Sequence, residues 1–95
     1  MDEYAPAYTF RDFYIPNYMM GAIQRYVEKG IGPGHFLTAV ICNDLREAVG
    51  CADDINIRNL PAYVAYFWNE VDSRCWGSPE KMVAWVKMRR EEAKS

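Results

Sequence analysis

The sequence predicts an all-α fold, a compact bundle of about four helices with an extended aromatic arm at its N-terminus. Three observations carry that expectation. From residue 16 onward, apolar residues recur at i, i+3, i+4 and i+7, the spacing of one helix face. Gly30, Gly50 and the Ser78-Pro79 pair punctuate the pattern where helices stop and start. Before residue 16 that spacing is missing, and aromatic residues are interleaved with polar groups. The chain therefore divides into an aromatic N-terminal arm, residues 1–15, and a helical domain, residues 16–95. A chain of 95 residues makes one small domain that buries roughly 60–70% of its unfolded surface.

The arm carries Tyr4, Tyr8, Phe10, Phe13 and Tyr14, with Pro6 among them. A short strand fits this composition, but a lone strand has no evident partner. Pro16 suits a first helical turn, where a missing N–H costs nothing. The first helix runs from about Pro16 to Lys29 on a stripe of Met19, Met20, Ile23, Tyr26 and Val27, and Gly30 stops it. The second runs from about His35 to Val49, with Phe36, Leu37, Val40, Ile41, Leu45, Ala48 and Val49 along one broad face. Asp53 or Asp54 caps the third, whose stripe of Ile57, Leu60, Val64, Phe67, Trp68 and Val71 keeps its period across Pro61. The proline argues for a kink or a restart there. Ser78-Pro79-Glu80 supplies an N-cap, a proline at N1 and an acid in the first turn of the fourth helix. That helix carries Met82, Val83, Trp85 and Val86 and ends in Lys87, Arg89 and Arg90, with Glu91 to Ser95 expected to fray.

Composition excludes several functions. The net charge of −2 gives no general attraction to nucleic acid, and the basic residues are scattered. No apolar run reaches the roughly 18–20 residues of a membrane span. The acidic start Met1-Asp2-Glu3-Tyr4 lacks the basic region of a secretory leader. Three cysteines, odd in number and irregularly spaced, suit free thiols in a reducing cytosol. An aromatic content of 15% is high for a small helical chain and predicts a homo-oligomer that buries the surplus.

The candidate site starts from Gly30-Ile31-Gly32-Pro33-Gly34-His35, which holds three of the six glycines and the only histidine. Bare backbone N–H groups at the start of a helix attract anions. Arg25 and Lys29 share a helix face just before the turn. Arg25, Lys29, Gly32, Gly34 and His35 thus form a candidate anion site, although no phosphate-loop pattern is present. The alternative is a solvated basic face followed by a glycine stop and a Pro-Gly turn. Further along, Arg74 can clamp a carboxylate or phosphate, or pair with Glu70, Asp72 or a helix C-terminus. Trp76 is expected to plug the end of the bundle and, beside Arg74, to count among the ligand-binding residues. The arm's aromatics offer stacking faces to a base, or cover the bundle or a neighbouring subunit. Asn43 and Asp44, poor residues inside a helix, read as a structural polar pair or a ligand contact.

Catalysis has little support. Cys42 falls in the apolar pattern, Cys51 and Cys75 have no activating partner in sequence, and His35 has no nucleophile beside it. No zinc spacing occurs among the cysteines and the histidine. The chain is expected to be neither an enzyme nor a metal or cofactor protein.

The segment Arg25-Tyr26-Val27-Glu28-Lys29-Gly30-Ile31-Gly32-Pro33-Gly34-His35-Phe36-Leu37-Thr38-Ala39-Val40 continues to Asn43-Asp44-Leu45. Together with Ala52-Asp53, Asn69 and Cys75-Trp76-Gly77-Ser78-Pro79-Glu80, it resembles a family of small accessory proteins encoded by tailed bacteriophages. The resemblance covers roughly residues 15–86 and carries over no catalytic residue. It implies phage origin and action in the host cytoplasm, often against host defence. With the basic glycine turn, it leads to the expectation of a non-enzymatic binder of a small anionic ligand, a sponge for a nucleotide immune signal. The alternative is a protein–protein inhibitor or adaptor acting on a host defence protein.

Overall fold

The computed structural model describes residues 5–94, so Tyr4 of the arm lies outside the described residues. The chain is not a pure four-helix bundle. A β-hairpin of β1 (Pro6–Phe10) and β2 (Phe13–Pro16) precedes six helices. These are α1 (Asn17–Lys29), α2 (His35–Ile41), α3 (Leu45–Cys51), α4 (Asp54–Arg58), α5 (Leu60–Asn69) and α6 (Pro79–Lys94), with a single 3-10 turn at Ser73–Cys75.

The expected arm is the hairpin. The strand's missing partner is the second half of the same segment: Phe10 pairs with Phe13, Thr9 with Tyr14 and Tyr8 with Ile15. Arg11 and Asp12 make the turn, Arg11 at a left-handed φ of 55° with its guanidinium 5.1 Å from the Phe10 ring centroid. No Asn-Gly or Asp-Gly marks this turn in the sequence. An isolated hairpin is marginal in water. This one is held by α5, through the Tyr8–Tyr66 edge contact at 5.2 Å and a 2.9 Å bond from the Tyr14 N–H to the buried Asn59 side chain. Ile15 is fully buried, so the hairpin belongs to the core rather than lying beside it.

The single second helix expected over His35–Val49 is two helices. Asn43 sits at a left-handed φ of 59°, and its N–H and that of Asp44 bond back to the Val40 and Ala39 carbonyls. That is a helix stop of the Schellman kind, in which Asn stands in for glycine. Asp44 then starts α3, its carboxylate accepting from the Glu47 N–H at 3.2 Å. The polar pair is explained by capping. The expected third helix also divides: α4 ends at Asn59 and α5 restarts with Pro61 in its first turn. Ser78 caps α6 through the Lys81 N–H at 3.1 Å, as its sequence predicts. Residues 91–94 continue that helix, and Ser95 lies outside the described residues.

The core gathers Ile15, Ile23, Tyr26, Leu37, Ile41, Tyr63, Phe67, Cys75 and Trp85. Its buried polar groups are paired, as burial demands. The Tyr26 hydroxyl donates to the Cys75 carbonyl at 2.6 Å, and the Tyr63 hydroxyl to the Asn56 side chain. Burial holds both phenols well above their ordinary pKa, so both remain donors at any physiological pH. The last turn of α1 is tied to α6: the Val27 carbonyl accepts from the Trp85 indole and the Arg89 guanidinium, each at 3.1 Å.

Candidate functional site

The residues of the expected anion site do not converge. Gly30 ends α1 at a left-handed φ of 69° and is buried against α6. A Cβ there would lie 2.8 Å from the Arg89 Cβ and 3.1 Å from the Val86 carbonyl oxygen. The first glycine of the turn therefore serves helix packing. Gly32 and Gly34 have no neighbour within 4 Å of a built Cβ. The Arg25 guanidinium folds back along α1 to within 3.2 Å of the place where a Gly21 Cβ would be, away from the turn. Lys29 is exposed at the end of α1.

His35 opens α2 and lines a cavity of about 350 Å³ with Pro33, Thr38, Cys42, Asp44, Glu47 and Pro79. Neither Arg25 nor Lys29 reaches this cavity's wall, and its carboxylates disfavour an anion. Arg74 is engaged elsewhere. Its Nε and Nη2 grip the Asp72 carboxylate at 3.0 and 2.7 Å, and its guanidinium lies 5.7 Å from the Trp85 ring centroid. That grip holds the Asp72 carboxyl down at about 2.

Trp76 leads to a different surface. Half-buried, it packs on Phe67 at 5.9 Å and meets the edge of Trp68 at 6.5 Å. α5 reads Leu-Pro-Ala-Tyr-Val-Ala-Tyr-Phe-Trp-Asn, apolar on every side. Ala62, Tyr63, Ala65 and Phe67 face the core. Val64 and Trp68, one turn apart, face outward, and Trp68 is 76% exposed. A helix apolar all round normally finds cover on every side. Across a shallow cleft from Leu60, Val64 and Trp76 stands Leu45 of α3, 67% exposed, with Val49 exposed one turn further on. The cleft measures about 40 Å³, far below the roughly 300 Å³ of a small-molecule pocket. It is an apolar face, not a pocket, and its one ionisable lining residue is Asp44.

Leu45, Val49, Val64 and Trp68 read as core positions in the sequence. Splitting the second helix at Asn43–Asp44 changes the register after Ile41, so α3 turns Ala48 inward and Leu45 and Val49 outward. The α5 signal was present in the sequence: apolar residues on both sides of one short helix exceed what a single core accepts.

The three thiols are not activated. Desolvation and neighbouring carboxylates push Cys42 and Cys51 above their ordinary value, and burial pushes Cys75 to about 11. The Cys42 thiol faces the Met82 sulfur at 3.6 Å, and the Cys51 thiol donates to Glu47. Protonated thiols are poor nucleophiles. Among the described residues no group of three or more His, Cys, Asp or Glu side chains is placed to hold a metal ion. No helix there is long and apolar enough to cross a membrane. No protein-family model matches the chain, and no curated protein or solved structure shows significant similarity to it.

Proposed function

We propose that this protein is a non-enzymatic protein-binding module, an inhibitor or adaptor that docks its target through the face built by α3 and α5. The observation that carries the reading is Trp68, 76% exposed, one turn from the exposed Val64 and in edge contact with Trp76, which lines the cleft that Leu45 borders. A fully buried tryptophan removes roughly 150–250 Å² from water, so leaving one in solvent forgoes a large stabilisation that a partner restores. Exposed aromatic and aliphatic clusters of this kind mark interaction sites, and tryptophan leads the residues that anchor them. The dispersal of Arg25, Lys29 and His35, and the carboxylates around His35, weigh against a nucleotide sponge. The resemblance to phage accessory proteins makes a host defence protein in the host cytoplasm the target class.

Affinity capture from host lysate with wild-type, Trp68→Glu and Lys29→Ala baits tests the reading, followed by titration of the purified captured protein. The expected outcome is one protein that binds wild type and Lys29→Ala alike and is lost with Trp68→Glu. Calorimetric titration with cyclic and linear nucleotides supplies the counter-test. Nucleotide binding that disappears with Arg25→Ala or Lys29→Ala, alongside protein capture indifferent to Trp68, would overturn the docking reading.

A further inference from the structure

Two sulfurs from different elements meet where α2 ends. The Cys42 thiol, one residue past α2, points at the thioether of Met82 in α6, with 3.6 Å between the sulfur atoms. Forty residues separate them in the chain, so no spacing in the sequence announces the pair. Backbone bonds hold them together. The Gly77 N–H donates to the Ile41 carbonyl at 2.7 Å, tying the end of α2 to the turn before α6. The Ser78 cap then fixes the opening turns of α6, where the Met82 N–H bonds the Ser78 carbonyl at 3.1 Å. Cys42 and Met82 are both half-buried, and Cys42 lines the cavity of about 350 Å³ that His35 and Glu47 also line. The pair is thus fixed in place yet reachable from solvent.

We infer that Cys42 and Met82 bind one soft monovalent metal ion, copper(I), between their sulfurs. Thiolate and thioether are the donors that select copper(I), whereas carboxylates and carbonyls suit hard cations. The thioether is what sets this pair apart from the zinc-type and hard-cation groupings that are absent among the described residues. Two metal–sulfur bonds of about 2.3 Å meeting at a tetrahedral angle span about 3.8 Å, so the pair closes on an ion with little movement. On binding, the Cys42 S–H bond breaks, its proton passes to solvent and a sulfur–metal bond forms in its place. The thioether lends a lone pair, and the ion keeps its oxidation state. Asp44 and Glu80, the carboxylates that help hold a proton on Cys42, favour the replacing cation for the same Coulombic reason. The remaining coordination positions open on the cavity, through which the ion enters and leaves. The site is independent of the docking face on α3 and α5.

Titration with copper(I) under anaerobic reducing conditions, against a chromophoric copper(I) chelator as competitor, tests it. Wild type is expected to take one ion per chain at this site, with affinity falling about tenfold for each unit of pH lowered, because one proton is displaced. Cys42→Ser is expected to weaken binding at least about a hundredfold and Met82→Leu about tenfold, the range over which changes around a metal alter its affinity. Both substitutions nearly conserve volume, and circular dichroism checks that both variants fold. Cys51→Ser and Trp68→Glu are expected to change nothing, since neither residue lies at the pair. A second readout needs no variant to fold: with methyl-labelled methionine, silver(I) as a redox-inert probe is expected to shift one of the five methionine methyl signals, that of Met82. Loss of affinity with Cys42→Ser but not with Met82→Leu, together with five unmoved methyl signals, would reduce the site to a single thiol and overturn the inference. Binding that follows Cys51, or no binding in competition with the chelator, would overturn it as well, and either result leaves the docking reading to its own capture experiment.

Discussion

Two turns flank α2, and they contrast in composition and in consequence. The turn from Gly30 to Gly34 holds half of the chain's six glycines and dominates the eye. The turn from Cys42 to Asp44 is three residues long and has no glycine. Yet the glycine turn does ordinary work: Gly30 lets the end of α1 approach α6, where Trp85 and Arg89 satisfy the Val27 carbonyl. The short turn has the larger effect on the surface. By breaking one helix into α2 and α3, it turns Leu45 and Val49 out to solvent, Leu45 across the cleft from Val64. Conspicuous composition thus reports an unusual backbone demand, and that demand here is packing. The proposed docking face follows from a change of register that two polar residues impose.

The comparison breaks most visibly at Gly30. Gly30→Ala places a Cβ at a left-handed φ and against the Arg89 Cβ and the Val86 backbone. Strain and overpacking together are expected to destabilise the fold by about 3 kcal/mol, read from the midpoint of urea unfolding. That is a large part of the roughly 5–15 kcal/mol that holds a domain together. A shift below 1 kcal/mol would show that α1 and α6 part easily, and would return the turn to candidacy as a ligand loop.

Asp44→Ala tests the other turn. It removes the carboxylate that accepts from the Glu47 N–H and is expected to cost about 1 kcal/mol. Because α3 carries Leu45 and Val49, fraying its first turn should also weaken docking beyond what the lost charge explains. Heteronuclear relaxation measurements on α3 amides would show whether the helix start loosens.

The chain's helical content was legible, as were the α6 start, the Gly30 stop and the break at Pro61. Each of these is local chemistry: a cap, a left-handed glycine, a missing N–H. The hairpin was not, because Arg11-Asp12 is an unusual turn and the strands depend on α5, some fifty residues away in the chain, for their cover. The proposed docking face is half legible. Trp76 stands out in its linker, but Val64 and Trp68 fit a helical stripe, and periodicity alone does not say which side of an all-apolar helix meets the core. Leu45 and Val49 fall in the core stripe only if one helix runs through Asn43 and Asp44; these two residues instead end α2 and begin α3. The sequence carries the residue types of that signature, an Asn able to end a helix in the left-handed region followed by an Asp able to cap the next one.

Asn43→Gly sharpens that point, since it keeps the break and removes its strain. Asn43 holds a φ of 59°, a conformation glycine adopts without a Cβ penalty. The variant is expected to be stabilised by about 0.5 kcal/mol, with unchanged docking, because relief at the helix stop slightly exceeds the entropy glycine adds to the unfolded chain. Destabilisation by more than about 1 kcal/mol would mean that the Asn side chain itself is held in place, and that the residue does more than end α2.

The smallest effect is expected where the sequence drew most attention. Gly34 has a φ of −69° and a ψ of −178°, extended backbone open to any residue, and neither Gly32 nor Gly34 has a neighbour within 4 Å of a built Cβ. Gly32→Ala and Gly34→Ala therefore lose nothing in the folded state and restrict the unfolded chain, which predicts a stabilisation of about 0.5 kcal/mol each. Their effect on binding discriminates between the two turns. A ligand cradled by the N–H groups of Gly32, Gly34 and His35 needs bare backbone, so added methyl groups would lower its affinity while leaving stability intact. A partner docked on α3 and α5 is indifferent to both substitutions and sensitive to Trp68→Glu. The expected result is unchanged binding in the two alanine variants with a slightly raised unfolding midpoint, which would assign the glycines to chain geometry and the interaction to the face that Asn43 and Asp44 create.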